Sequence, residues 1–141
     1  INGSVSGSTS AGGLNIAEWT LSENNIDLMI LCLGANDMLR GINPKETKNN
    51  LIEIIKIAKS KNIKVIIAGM IAPTSHGTNY KKSFDKIFKD LSNEYELQLI
   101  PFLLEGVAQK PEFNLSDGMH PNDKGTIIIS KTLKEAILKN L

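Results

Sequence analysis

A single cysteine, Cys32, rules out an internal disulfide in this 141-residue chain. It lies in an apolar run and is expected to be a buried core residue, so it says little about compartment. No apolar run approaches the roughly 18 residues that a membrane span needs, and no transmembrane segment is expected. An excess of one charge sign is also lacking. The net charge is +1, and the basic residues are fifteen lysines, spread along the chain, and one arginine, Arg40. Without a cluster of like charges, neither nucleic acid nor a membrane surface is expected as a partner. Internal repeats, linkers and low-complexity tracts are absent. The chain opens at Ile1 with no initiator Met and no signal-like segment, so its true N-terminus is expected to lie upstream.

What is present is an ordinary globular composition, 41% apolar and 22% charged. The length suits one domain that buries roughly two-thirds of its unfolded surface. Residues 1–6 read as a short strand and 6–13 as a small-residue loop. Residues 14–25 read as a helix packing through Leu14, Ala17, Trp19 and Leu21. Residues 27–33 form a continuous apolar run, expected to be a strand buried on both faces of a parallel sheet. Asn43 and Pro44 start a helix whose Leu51, Ile54, Ile55 and Ala58 fall on one face. A β-branched strand follows at 63–69, then a long loop at 70–79 with His76 at its rim. Tyr80, Phe84, Ile87, Phe88, Leu91 and Tyr95 mark the core face of the next helix. Residues 97–101 read as a strand, and 102–115 as an irregular wall holding Leu103, Leu104, Val107 and Phe113. Asn122 caps a last helix that turns Ile129, Leu133, Ala136 and Ile137 inward. Four alternations of strand and helix predict a parallel three-layer α/β/α sandwich.

Three stretches carry candidate chemistry. In Ser116-Asp117-Gly118-Met119-His120-Pro121-Asn122, a carboxylate and an imidazole stand three apart in a turn, where they can hydrogen-bond. A buried carboxylate that orients an imidazole fixes its tautomer and stabilises the imidazolium formed in proton transfer. An ordinary surface turn with a helix cap fits the same residues. Gly34-Ala35-Asn36-Asp37 lies just past the 27–33 strand, where functional groups gather in open α/β sheets. The Asn36 amide is an uncharged donor suited to an oxyanion; alternatively Asn36 and Asp37 cap the following turn, with Asp37 pairing Arg40. The 6–13 loop could point backbone N–H groups at an anion, or be a flexible turn.

In this order and spacing, Ser6-Gly7-Ser8-Thr9-Ser10, Leu33 to Gly41 and Asp117 to Asn122 resemble the SGNH (GDSL) hydrolase family. Pro101-Phe102 and Lys110-Pro111 also match, and the likeness covers essentially the whole chain. The nearest type is the bacterial thioesterase I/protease I/lysophospholipase and arylesterase group. The resemblance implies a flavodoxin-like hydrolase fold acting on small acyl esters or thioesters, with no metal or cofactor. It implies His120 as general base, Asp117 as its orienting carboxylate, and Gly7 N–H and the Asn36 amide as oxyanion donors. Ala35, Met38, Leu39 and Met119 would contact substrate, and loops 38–43 and 70–79 would shape the acyl pocket. A periplasmic or secreted location and a monomer are what such relatives suggest.

One departure is large. The family's nucleophile sits in a Gly-Asp-Ser-Leu block at the end of a first strand, and no Gly-Asp-Ser occurs in this chain. The chain is therefore expected to lack one βα unit of about 30 residues. The loss would leave a gap in the sheet centre, or a collapsed sheet with newly unpaired edges, and the chain alone would be inactive. Two rivals stand beside this reading. A non-catalytic acyl- or glycan-binding relative would have no use for a base and its orienter. A flavodoxin-like nucleotide-binding module gives no reason for Asp117 and His120 before the last helix.

Overall fold

The computed structural model describes residues 1–23 and 25–140. Its helices and strands run α1 (Ser10–Thr20), β1 (Leu28–Leu31), α2 (Ala35–Leu39), α3 (Pro44–Ser60), β2 (Lys64–Ala68), α4 (Thr78–Tyr95), β3 (Gln98–Ile100) and α5 (Asp123–Leu138). Short 3-10 turns occupy Thr74–His76 and Pro111–Phe113. The strands form one parallel sheet in the order β1-β2-β3, with Met29 opposite Val65 and Ile67 opposite Leu99. The connections β1-α3-β2 and β2-α4-β3 bring α3 and α4 together, where they pack on each other and α1 packs on α3. From the other side α5 meets β3, completing the α/β/α layering.

Local chemistry accounts for the starts of α3 and α5. Asn43 accepts a hydrogen bond from Lys45 N at 3.0 Å, with Pro44 in the first turn of α3. Asn122 accepts from Gly125 N at 3.1 Å and begins α5. Leu51, Ile54, Ile55 and Ala58 of α3 are buried against β2, and Phe84, Ile87, Phe88 and Leu91 of α4 beside it. Tyr80, Phe84 and Phe88 form an aromatic ladder, with ring centroids 6.0 and 5.7 Å apart. The core is continuous through these residues, Val65 to Ala68 of β2, and Ile100.

Several expectations need correction. Residues 1–6 form no strand: they are exposed and no strand among the described residues pairs with them. Consequently, among the described residues, the sheet has no internal gap and stops at β1, which pairs on one side only. For the same reason β1 is not buried on both faces: Leu28, Met29 and Ile30 are half-buried, and Cys32, expected in the core, is exposed. The first helix begins four residues early because the Thr9 hydroxyl accepts from Gly12 N at 3.3 Å, making Thr9 the cap. Trp19 is 77% exposed. It lies two residues, some 200° of helix, beyond Ala17, while α1 packs through Leu14, Ala17 and Leu21. Asn24, placed in this helix by the sequence reading, lies outside the described residues. In α5 only Ala136 of the four inward residues is fully buried; Ile129, Leu133 and Ile137 are half-buried against the core.

Candidate active site

The candidate residues fall into two groups. The first is built from the 5–9 turn and α2. Ser8 N donates to Val5 O at 3.1 Å, and Gly7 within this turn has φ +74°. The Gly7 N–H has no acceptor among the described residues, while Gly7 O accepts from Arg40 Nη2 at 3.0 Å. Asn36 Nδ2 donates to Ser8 O at 3.0 Å, which fixes the amide and leaves its second N–H. Gly34 makes the approach possible. It opens α2 at φ +112°, where a Cβ would also press on Phe84 and Phe88 at 3.3 and 3.4 Å. Asn36 is thereby tied to the turn that carries Gly7.

Beneath them lies Asp37, fully buried. Its carboxylate accepts from Ser10 N at 2.8 Å, Ser10 Oγ at 2.5 Å and Thr47 Oγ1 at 3.0 Å. Asn50 Nδ2 extends the network, donating to Ser10 Oγ at 3.0 Å. The alternative Asp37–Arg40 pairing is not formed among the described residues. Helix α2 carries Asp37 inward under the 6–10 loop, while Arg40 turns outward to Gly7 O. Ser10 is also fully buried, which takes its hydroxyl out of reach of solvent.

The second group is the 114–122 turn. Asn114 bridges Pro121 in antiparallel fashion, Leu115 N donates to His120 O at 2.7 Å, and Asn122 N to Phe113 O at 3.0 Å. Inside the turn, Asp117 Oδ1 accepts from Met119 N at 2.9 Å and His120 N at 3.0 Å, and Oδ2 lies 2.7 Å from His120 Nδ1. The His120 backbone N–H, its ring and the Met119 N–H together hold the Asp117 carboxyl down at about 2 from an ordinary 3.8. A deprotonated carboxylate next to Nδ1 makes that nitrogen the donor and leaves Nε2 unprotonated in the neutral ring. Burial departs from expectation: the side chains are 43% (Asp117) and 70% (His120) exposed, because the turn projects from the surface. No hydrogen bond or ion pair among the described residues joins this turn to the Gly7–Asn36 group.

Sequence reasoning missed the anchors of that turn. Asn114, buried, donates to Val107 O at 2.8 Å and Lys110 O at 2.7 Å. Asn122 does more than cap α5: its Nδ2 donates to Glu112 O at 3.1 Å and Asn114 O at 3.2 Å. At Gly125 a Cβ would stand 2.2 Å from Phe113 O, so only glycine lets α5 start this close to the turn. A cleft of about 340 Å³ lined by Lys110, Asn114, Leu115, Ser116 and Gly118 runs beside it. The two expected pocket loops do meet. The His76 ring lies against Gly41 and 5.2 Å from Tyr80, whose hydroxyl donates to Ile42 O at 2.9 Å. Asp85 accepts from Ala72 N at 2.8 Å, and Lys81 bridges Ala72 O and Asp85, pinning the 70–79 loop to α4. Leu39 and Met119 are exposed, and Ala35 and Met38 half-buried. Among the described residues no group of three His, Cys, Asp or Glu is placed to hold a metal, and no helix is long and apolar enough to cross a membrane.

Known proteins share this architecture and sequence. The arylesterase of Vibrio mimicus is 36% identical over 141 residues, spanning all of this chain and 70% of that protein. Thioesterase 1/protease 1/lysophospholipase L1 of Escherichia coli K12 is 34% identical over 122 residues, 86% of this chain but only 59% of its own length. A crystal structure of TesA superposes with a TM-score of 0.93 at 30% identity, over 100% of this chain and 78% of that one. The GDSL-like lipase/acylhydrolase family matches residues 1–126, and the chain belongs to that family.

Proposed function

We propose that these residues form the base and oxyanion side of a serine ester or thioester hydrolase. The observation that carries the reading is the 2.7 Å contact between Asp117 Oδ2 and His120 Nδ1 on an exposed turn, with Nε2 engaged by no described residue. In this reading Asp117 holds Nδ1–H, and Nε2 takes the proton of an attacking serine as its Oγ bonds the acyl carbon. The carbonyl π electrons move onto oxygen, where the Gly7 N–H and the second Asn36 N–H receive them. Each such donor contributes about 3 kcal/mol to barrier lowering. His120 then returns the proton to the departing alcohol or thiol, and water repeats the cycle on the acyl-enzyme. The pinned 38–43 and 70–79 loops, with Ala35, Met38, Leu39 and Met119, line the acyl side. Aryl esters and acyl thioesters, the substrates named for the relatives, are the classes to assay first.

The nucleophile is assigned to a segment outside these 141 residues, which contain no Gly-Asp-Ser; the one serine tied to a carboxylate among the described residues, Ser10, is buried beneath the donors. The test is p-nitrophenyl butyrate hydrolysis by this chain and by the chain extended at its N-terminus with a βα unit of about 30 residues ending its strand in Gly-Asp-Ser. Turnover is expected only from the extended chain, and His120→Ala abolishes it. Turnover by the unextended chain that His120→Ala removes would contradict the assignment of the nucleophile. An extended chain that binds butyrate esters without cleaving them would favour an acyl-binding protein instead.

A further inference from the structure

Asp37 is a fully buried carboxylate that the proposed chemistry does not touch, and it sits where the two oxyanion donors are joined. It is the residue next to Asn36, and two of its three hydrogen bonds go to Ser10, which ends the loop carrying Gly7. The third comes from Thr47, on the second turn of α3, and Asn50 one turn on reaches the same Ser10 hydroxyl. No cation pairs with it among the described residues. Three convergent donors compensate its burial in place of a counter-ion, and such a hub tolerates little change in their positions.

We infer that Asp37 is a positioning residue for the oxyanion donors: through Ser10 and Thr47 it locks the 6–10 loop and α2 in register, so that the Gly7 N–H and the Asn36 amide converge. Two weaker links, Asn36 to Ser8 O and Arg40 to Gly7 O, cross the same junction at the surface. They are part-buried or exposed and compete with water, whereas the Asp37 bonds do not. The geometry of both donors is therefore set from below. Thr47 and Asn50, which touch neither donor, control them through this carboxylate and the Ser10 hydroxyl.

The inference rests on Gly7 and Asn36 being the oxyanion donors, but its test needs no turnover. Amide signals of the 141-residue chain are compared by ¹H–¹⁵N spectroscopy for wild type, Thr47→Val and Thr47→Ser. Thr47→Val keeps shape and removes one donor to Asp37. It is expected to shift the Gly7 backbone and Asn36 side-chain signals and to speed exchange of the Asn36 amide on the order of tenfold, the equivalent of one hydrogen bond to a charged group. Thr47→Ser, which retains the hydroxyl, returns both signals to their wild-type positions. If Thr47→Val does not fold, Asn50→Ala replaces it: Asn50 is only half-buried, and the same signals move with smaller amplitude. A lowered melting temperature with Gly7 and Asn36 unmoved would overturn the inference and leave Asp37 as a purely structural residue. That result would not alter ester turnover by the extended chain, so the two readings fail separately.

Discussion

Two aspartates, Asp37 and Asp117, each accept three hydrogen bonds, yet they do opposite work. The partners of Asp37 are 27 and 10 residues away, and the carboxylate is fully buried. The partners of Asp117 are two and three residues away, and it is 43% exposed. A carboxylate removed from water must be satisfied by whatever the fold brings to it, so it reports on tertiary structure. A carboxylate in a turn can be satisfied by its own segment, so its geometry survives at the surface, where the ring beside it stays exposed. The same functional group thus ties distant segments together in one place and, in the proposed mechanism, orients a base in the other.

The sharpest way to break this contrast is Asp37→Ala. It leaves one backbone N–H and two hydroxyls unsatisfied in the core and is expected to cost about 3 kcal/mol or more, read as a lowered urea midpoint. Asp117→Ala should lower the same midpoint by much less, since its partners are solvated; a comparable loss in both variants would erase the distinction. Next in size is Asn114→Ala, which unties the turn from Val107 O and Lys110 O. About 1–2 kcal/mol of destabilisation is expected, together with faster exchange of the Leu115 N–H that bonds His120 O.

Acid sharpens the comparison further. Because the Asp117 carboxyl is depressed to about 2 from 3.8, its pairing is complete above pH 4 and is lost as pH falls through about 2. The ¹³C signal of the Asp117 carboxyl should titrate accordingly, and a midpoint near 3.8 would mean the three bonds are not held in solution. The smallest effect is expected at Trp19→Gln, within about 0.5 kcal/mol, as for surface positions without special features. A large loss there would show that α1 is covered on its outer face.

The same contrast explains what the sequence disclosed. Asp117 and His120 were legible because their partners lie within the motif, and Asn43, Asn122 and the 51–58 periodicity because helix caps and faces are local. The buried role of Asp37 was not legible, since nothing near it in sequence names Ser10 or Thr47. Asn114 was invisible for the same reason. The strand at 1–6 failed because a strand needs a neighbour, and Asn2, Gly3 and Ser4 have little intrinsic preference for one. Cys32 failed with it: burial at the β1 edge depends on what pairs there, which periodicity cannot show. The family pattern placed the site residues in order, and the long-range bonds that hold them were the structure's to supply.

Whether Asp117 sets His120 up as a base through Nδ1 is read from the imidazole ¹⁵N spectrum at pH 9, above the ordinary histidine range. A proton on Nδ1 and an unprotonated Nε2 are expected in the wild type, with the preference lost in Asp117→Ala. A wild-type ring protonated on Nε2 would contradict this role, because that nitrogen could then accept no proton from a serine.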